Sequence, residues 1–221
     1  MPYSRIASMS SSDTSVRSSW ARIDAWLRAQ APATFAVLAG PADLDGIEAA
    51  QTEMGVRFPS DLLDSLACHD GVTSSKTILP VQSPLSVKRI AEFWSLNESI
   101  AGSDRDLREA NEDEGEDEPW WHRDWIPWAA SDGDAQVIDV RDGAHWGRLG
   151  TTAHDGTGCL RDGWPSLAAY LCEVADALEF GGDVYGLVPY LLPGGELWWD
   201  LPGETRLNGA KLTPAPTTHV R

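Results

Sequence analysis

Hydrophobic residues near the start of the chain recur at the spacing of one helix face. At intervals of four, three and four residues, they are Val16, Trp20, Ile23 and Leu27. This spacing is one side of a 3.6-residue period, and it predicts a helix from about Ser15 to Ala31 that Pro32 ends. Similar apolar stripes predict further helices over residues 43–54, 59–69, 86–101 and 166–180.

Two of these helices carry informative residues at their ends or faces. Asp43 suits an N-cap and Gly55 a C-terminal stop, because each accepts the conformation that such an end needs. The expected apolar face between them consists of Leu44, Ile47, Gln51 and Met54. The next helix should turn toward the core Leu62, Leu63 and Leu66.

The stretch 125–150 changes to the pattern of a strand meander. Its short apolar runs, at 125–130, 135–140 and 146–151, are separated by turn clusters at 131–134 and 142–143. Asp and Gly in such clusters accept the turn dihedrals that strands avoid. The pattern predicts three antiparallel strands that bury one face, and helices must cover that face.

Further strands are predicted on both sides of the meander. A short one lies at about 76–81 and another at 157–161. A C-terminal hairpin joins 184–192 to 196–201. Pro189 should make its first arm an edge or irregular strand, since proline cannot donate to a sheet ladder. The last dozen residues are polar and predict a frayed end.

Together these elements predict an α+β fold. An antiparallel sheet meander is covered by the N-terminal helices and one C-terminal helix, and an extra C-terminal hairpin follows. The expected organisation is a disordered N-terminus at 1–14 and one α+β domain at 15–182, with an acidic insertion at about 104–118. A C-terminal β-hairpin extension and tail occupy 183–221.

The charge balance narrows the classes of partner. The 221 residues carry 34 acidic and 17 basic side chains, a formal net charge of -17. Residues 109–118 hold seven acidic side chains and no basic one. Such a surface repels nucleic acid and anionic membranes and attracts basic proteins, although solubility alone explains it equally well. We expect a basic protein partner, no nucleic acid and no membrane.

Cysteine use and hydropathy bear on the compartment and the cofactors. Cys68, Cys159 and Cys172 are odd in number and lack CxxC spacing, so they favour neither a disulfide framework nor a zinc site. The Ser-rich N-terminus lacks the apolar core of a secretory signal, and no apolar run is long enough to span a bilayer. We expect a cytoplasmic protein without a cofactor.

Two groups stand out among the eleven tryptophans. One lies on predicted apolar faces and is expected in the core: Trp20, Trp26, Trp94 and Trp164. The other adjoins acidic residues, and aromatic anchors with an acidic rim suit an interface with a basic protein. Core packing is the alternative for each of these rings taken singly. The candidate partner-binding residues are Trp120, Trp121, Trp128, Asp132, Asp134, Trp198, Trp199, Glu114, Glu116 and Asp117.

Two chemical alternatives have weaker support. A hard cation needs several converging carboxylates, and the candidates are Asp132, Asp134, Asp139 and Asp142. Their spacing is not that of an EF-hand, and Asp is ordinary at turns. A hydrolase could use His154 with Asp155 or Cys159, yet no nucleophile motif supports it. We therefore expect neither a metal site nor an enzyme.

Several short motifs, in order and spacing, resemble one known family. They are the Trp20 helix, Ile47 through Gly55, Phe58-Pro59-Ser60-Asp61-Leu62, His69-Asp70-Gly71, Trp125-Ile126-Pro127, Gly133-Asp134, Ile138-Asp139-Val140, Gly147 and the 167–171 helix. From about Trp20 to Phe180 the chain resembles the SUKH superfamily, the Smi/Knr family of fungal cell-wall-synthesis regulators and bacterial immunity proteins. Gln51 stands where that family often has glutamate.

The resemblance implies an α+β domain without an active site. Bacterial members look like immunity proteins that bind and neutralise polymorphic toxins, often nucleases, and fungal members look like scaffolding regulators. We therefore expect a non-enzymatic protein-binding module that neutralises a basic toxin. A Smi/Knr-like regulatory or cell-wall-synthesis scaffold protein is the alternative, and a small hydrolase is a weaker one.

Overall fold

The computed structural model describes residues 15–74, 78–108 and 118–218. The helices are α1 (Val16–Gln30), α2 (Pro32–Phe35), α3 (Leu44–Met54), α4 (Ser60–Leu66), α5 (Val87–Arg108) and α6 (Leu167–Phe180). The strands before α6 are β1 (Ser83–Pro84), β2 (Trp125–Ser131), β3 (Asp134–Asp139), β4 (Leu149–Thr152) and β5 (Cys159–Trp164). Those after it are β6 (Val188–Leu192), β7 (Glu196–Asp200), β8 (Arg206–Leu207), β9 (Ala210–Lys211) and β10 (Thr213–Pro214). Within the described residues, no helix combines the length and apolar character needed to cross a membrane.

The strands β1 to β5 form an antiparallel sheet in chain order. The pairing of β2 with β3 runs to Ser131 opposite Asp134. The two-residue turn between them has positive φ at Asp132 and Gly133, which is the type I′ geometry that Asp-Gly favours. The predicted α+β class and the central meander are therefore confirmed.

Both faces of the sheet are covered, whereas the pattern predicted only one. Residues 125–129 are all buried, so side chains that alternate between the two faces of β2 are all enclosed. Trp128 packs edge-to-face on Tyr170 of α6, with ring centroids 5.9 Å apart. Trp125 packs similarly on Trp121, at 6.5 Å. The apolar run in β2 is continuous rather than alternating, which is typical of a strand buried on both sides.

The helical layer brings α1 against α6 and α3 against α5. The predicted stripe of α1 is buried, and so are the four tryptophans expected in the core. Arg22 of α1 also reaches Asp176 and Glu179 of α6, each at 2.6 Å. Burial lowers the pKa of the Arg22 guanidinium, but its hydrogen bonds to the two carboxylates outweigh burial and raise it.

Two predicted core leucines lie at the surface. Leu44 is 81% exposed, and Leu63 is exposed as well. The buried residues of α3 are Ile47, Ala50 and Met54. At 100° per residue, Leu44 lies roughly a quarter turn from the centre of that buried stripe. In α4, Leu63 is displaced by a similar angle from the buried residues Leu62, Ser65 and Leu66. The caps were predicted correctly, since Asp43 accepts from Gly46 N–H and Gly55 has φ +66°.

His69 ties α1 to the loops around it. Its Nε2 lies 3.0 Å from Asp24 Oδ1 and its Nδ1 2.8 Å from the Ala39 carbonyl oxygen, while Trp20 packs edge-on against the ring. Both oxygen partners accept, so both ring nitrogens must donate, which requires the imidazolium. Burial opposes that charge, but the hydrogen bonds to Asp24 and Ala39 outweigh it and raise the pKa of His69.

The next two residues bring the loop after α4 against the start of α5. The Asp70 carboxylate accepts from the Val87 N–H at 2.7 Å and so caps α5. Gly71 has φ +70°, and a Cβ there would overlap the backbone of Leu85 and Ser86. Glycine is therefore required by both the dihedral angle and the contact.

The structure differs from the predicted element boundaries at three places between α4 and β4. Residues 79–81 form bends, and the strand pairing falls instead at β1; residues 75–77 lie outside the described residues. Helix α5 continues through Arg108, so it includes the first residues of the expected acidic insertion. The third strand of the meander begins at Leu149, because Trp146 belongs to the loop after β3.

The described part of the C-terminal extension, residues 183–218, includes paired strands up to β10, although a frayed tail was predicted. Its hairpin is confirmed, but β6 is the middle strand between β10 and β7, so the edge assignment from Pro189 was wrong. The Pro189 carbonyl accepts from Ala215 N–H at 3.0 Å, and proline is tolerated because β10 ends before it. Trp26 Nε1 donates to the Pro216 carbonyl, and Thr218 N–H donates to that of Glu179.

Replacing Gly71 by alanine is expected to destabilise the fold by about 3–5 kcal/mol, because left-handed strain and backbone overlap add. Gly55→Ala is the matched control. Gly55 has nearly the same φ, but nothing lies within 4 Å of the new Cβ, so only about 1–2 kcal/mol of strain is expected. Urea unfolding of both variants measures the difference, and equal losses would contradict the contact at Gly71.

Raising the pH is expected to weaken the fold through His69. Because the pKa of His69 is raised in the folded state, its stabilisation is complete below the ordinary value of about 6.5. That stabilisation is lost as the pH rises through the folded-state pKa. The free energy of unfolding, from urea titrations between about pH 6 and pH 8.5, should therefore fall with pH.

His69→Gln should flatten that pH dependence of stability. His154→Gln is the matched control, because His154 is exposed and its pKa is also raised. The control should keep most of the slope. An unchanged slope in His69→Gln would show that the Asp24–His69 pair does not carry it.

Candidate functional site

The tryptophans predicted as partner anchors divide between core and surface. Trp121, Trp128 and Trp199 are buried, so their rings offer no area to a partner in this conformation. Trp120 and Trp198 remain partly exposed. Five candidate rings are therefore reduced to two, and these two lie on different elements of the fold.

Trp120 lies beside the end of β4. The Thr152 hydroxyl donates to the Trp120 carbonyl, and the Gly158 N–H donates to the Pro119 carbonyl at 2.9 Å. Thr152 in turn pairs with Ala135, one residue from the β2–β3 turn. These contacts place the backbone of the half-buried Trp120 beside the end of β4, the strand that pairs with β3.

The segment that carries Trp120 is fixed to α5 on its other side. Trp121 Nε1 donates to Glu98 Oε1 at 3.0 Å, and Trp94 Nε1 donates to the Arg123 carbonyl at 2.8 Å. Phe93 of α5 also packs against Trp121, with ring centroids 6.2 Å apart. The route from residue 118 to β2 is therefore held by buried aromatic contacts.

Three carboxylates lie at the β2–β3 turn and in the loop after β4. We call Trp120, Asp132, Asp134, His154 and Asp155 the turn patch. Asp132 and Asp155 are exposed, and Asp134 is partly exposed. A Cβ at Gly133 would lie 3.2 Å from the His154 side chain, so the turn and the loop after β4 are in close contact.

His154 controls the charge of the turn patch. Asp134 accepts from the His154 backbone N–H at 3.0 Å and from its Nδ1 at 2.8 Å. The ring hydrogen bond lowers the pKa of Asp134. The same bond, followed by the charge of Asp155, raises the pKa of His154. The turn patch therefore carries the full negative charge of its three carboxylates when His154 is neutral. When His154 is protonated, its positive charge cancels part of that negative charge.

The acidic segment rejoins the described structure at Glu118. Both Glu118 oxygens accept from Arg141, at 2.8 and 3.0 Å, and Arg141 also binds Asp139, which is fully buried. The hydrogen bonds that Arg141 donates to Glu118 and Asp139 raise the pKa of its guanidinium. Three candidate residues of this segment lie outside the described residues: Glu114, Glu116 and Asp117.

The second pair of candidate tryptophans lies in the C-terminal hairpin. Trp198 Nε1 donates to Asp200 Oδ2 at 2.9 Å, and its ring is partly exposed. Trp199 points to the opposite face and donates to the Ile78 carbonyl. Their strand, β7, packs on α2, whereas the turn patch is built on β2, β3 and β4.

The predicted chemical alternatives are not assembled among the described residues. No group of three or more His, Cys, Asp or Glu side chains there could hold a metal ion. His154 pairs with Asp134 rather than with Asp155 or Cys159. The Cys159 thiol donates instead to Asp162 at 3.7 Å, and none of the three cysteines forms a disulfide bond.

One surface residue was missed because its run was assigned to a strand. Trp146 is 54% exposed and lies in the loop between β3 and β4. The available signal was the pair of glycines around it, since Gly143 and Gly147 both have positive φ. Glycines at this spacing favour a turn over a strand.

Comparison with known proteins agrees with the resemblance seen in the sequence motifs. A search of curated proteins finds no match to the chain. A family model described as SMI1 / KNR4 family (SUKH-1) matches residues 41–173, more than half of the 221 residues. This range runs from the cap of α3 into α6 and includes the whole meander and the turn patch. The chain therefore belongs to the SMI1/KNR4 (SUKH-1) family.

Proposed function

We propose that the protein is a non-enzymatic binding protein, and that it acts in the cytoplasm as an immunity protein against a basic toxin. The turn patch carries this proposal, because it combines the exposed Asp132 and Asp155 with the partly exposed Asp134 and Trp120. Membership of the SUKH-1 family supports it, and the net charge of -17 favours a basic partner.

The turn patch suits binding because its parts are already held in place. The type I′ turn fixes Asp132, the hydrogen bonds of His154 fix Asp134, and the Thr152 contact fixes the backbone at Trp120. Little side-chain freedom is then lost when a partner binds. The negative field speeds encounter, and the indole slows release.

Neutralisation would follow from occlusion. A nuclease must present Lys and Arg to the phosphates of its substrate. An acidic surface with an aromatic anchor is complementary to such a face and would cover it. No bond is made or broken in this mechanism, and it needs no cofactor from the protein.

We propose the absence of catalysis on two observations. No hydrogen bond among the described residues joins His154 to Cys159: His154 Nδ1 lies 2.8 Å from Asp134, and the Cys159 thiol donates to Asp162. A hydrolase would need a nucleophile and a base within hydrogen-bond distance of each other.

A regulatory scaffold is the second candidate, because the matched family model is named for SMI1 and KNR4. The same acidic surface could hold a basic segment of a cellular partner. Affinity purification separates the two. A toxin encoded beside the gene supports neutralisation, whereas a housekeeping complex without any toxin supports the scaffold.

Neutralising the turn patch should weaken binding to such a toxin. The triple variant Asp132→Asn, Asp134→Asn, Asp155→Asn is expected to bind about 10- to 100-fold less tightly, mainly through slower association at low salt. Calorimetry and stopped-flow mixing measure the affinity and the rate.

The matched control removes the same amount of charge elsewhere. Asp45→Asn, Glu48→Gln, Glu204→Gln changes three exposed side chains on α3 and the C-terminal extension. It should alter the affinity by less than about threefold. Equal effects of the two triple variants would mean that only net charge matters and that the turn patch is not the binding site.

Binding should also strengthen as the pH rises through the pKa of His154. Protonated His154 cancels part of the patch charge, and its raised pKa places that change above the ordinary histidine range. The dissociation constant should fall by about threefold or more between pH 6 and pH 8.5. His154→Gln should bind with little pH dependence over this range, and a wild-type-like dependence in that variant would refute the role of His154.

A further inference from the structure

A groove lies at the end of the meander opposite to the turn patch. One wall is the extended segment after α3, with Val56, Phe58 and Pro59, and the other is formed by Val140 and Trp146. The groove has a volume of about 450 Å³, which is ample for an aromatic side chain. Trp146 is 54% exposed, so about half of its surface is open to solvent.

Both walls are held firmly. Gly55 ends α3 with φ +66°, and the Phe58 N–H donates to Gln51 Oε1 at 2.8 Å. On the other side, the Gly147 N–H donates to the Asp139 carbonyl at 2.7 Å. Trp146 is therefore presented on an anchored loop, beside a groove whose shape the neighbouring helices set.

The two walls carry opposite charges. Arg57 is exposed, and no carboxylate among the described residues pairs with it, although the chain has twice as many acidic as basic side chains. Across the groove, Asp124 is 39% exposed, with His122 Nδ1 at 3.8 Å. The same patch thus has a half-exposed ring, a groove of mixed apolar and polar lining, one cation and one anion.

We propose that this groove is the contact surface between two copies of the chain. A two-fold contact requires a surface that complements itself. Rotation of one copy about a two-fold axis would bring each Trp146 into the groove of the other copy. The same rotation would set Arg57 of each copy opposite Asp124 of the other.

A second copy fits this groove better than a basic partner does. A strongly basic partner would meet the positive charge of Arg57, whereas a second copy offers one charge of each sign. The turn patch lies at the other end of β2 and β3, so it stays free in the dimer. Each copy in the dimer could then bind one partner of its own.

The dimer should form more readily as salt is added. Two bodies of charge -17 repel each other over about 30 Å at 0.01 M ionic strength but over only about 8 Å at 0.15 M. The pairs in the contact are screened less, because they are partly buried. Salt therefore removes more repulsion than attraction.

Sedimentation equilibrium of the full chain, from about 10 µM to 0.5 mM at 0.15 M salt, tests the proposal, since this range detects micromolar and weaker dimers. A concentration-dependent dimer is expected. Trp146→Ala should raise its dissociation constant by about 30-fold or more. Leu96→Ala, which removes another exposed apolar side chain on α5, is the control and should leave the constant unchanged.

A charge exchange makes the test specific. Arg57→Asp and Asp124→Arg should each raise the dissociation constant by about tenfold, and the double variant should return to within about threefold of the wild type. Thermal unfolding checks that each variant is folded. A monomer over the whole range, or a dimer that ignores both Trp146→Ala and the charge exchange, overturns the proposal.

Discussion

A buried carboxylate at the end of the meander must be paired with a cation, and the neighbouring loops are held in place by that pairing. Asp139 is fully buried at the end of β3, and a buried charge left unpaired would cost several kcal/mol. Arg141 satisfies it through two nitrogens and also binds Glu118. The Arg141 guanidinium thus holds Glu118, the first described residue after the acidic segment. The Asp139 carbonyl accepts from the Gly147 N–H and so anchors the loop that carries Trp146.

The two ends of β2 and β3 then carry surfaces of different character. The tight Asp132-Gly133 turn presents carboxylates with one indole beside them. At the other end, the longer loop before β4 presents Trp146 at a groove that Arg57 and Asp124 also line. The first surface has an excess of one charge and suits an unlike partner, whereas the second is balanced and suits a like one. Burial of both sheet faces leaves these ends as the accessible parts of the meander.

Local signals predicted much of this fold, and long-range contacts decided the rest. The sequence predicts the Asp43 helix cap and the Asp-Gly turn correctly, because each depends only on neighbouring residues. The burial of Trp121 and Trp128 was not, because it depends on α5 and α6 covering opposite faces of one strand. The order of the C-terminal tail depends on Trp26, more than 180 residues away. The turn patch was partly foreseen through Trp120, Asp132 and Asp134, but the loop carrying His154 reaches it only through strand pairing.

In the proposed function, an acidic, preorganised surface recognises a basic protein without chemistry. Hydrogen exchange of the chain, alone and mixed with the basic domain of a toxin encoded beside its gene, measures this recognition along the chain. Protection of amides at 118–121, 131–134 and 152–155 is expected, with the toxin released unmodified. Protection confined to other surfaces, or covalent change of the toxin, would refute the proposed function.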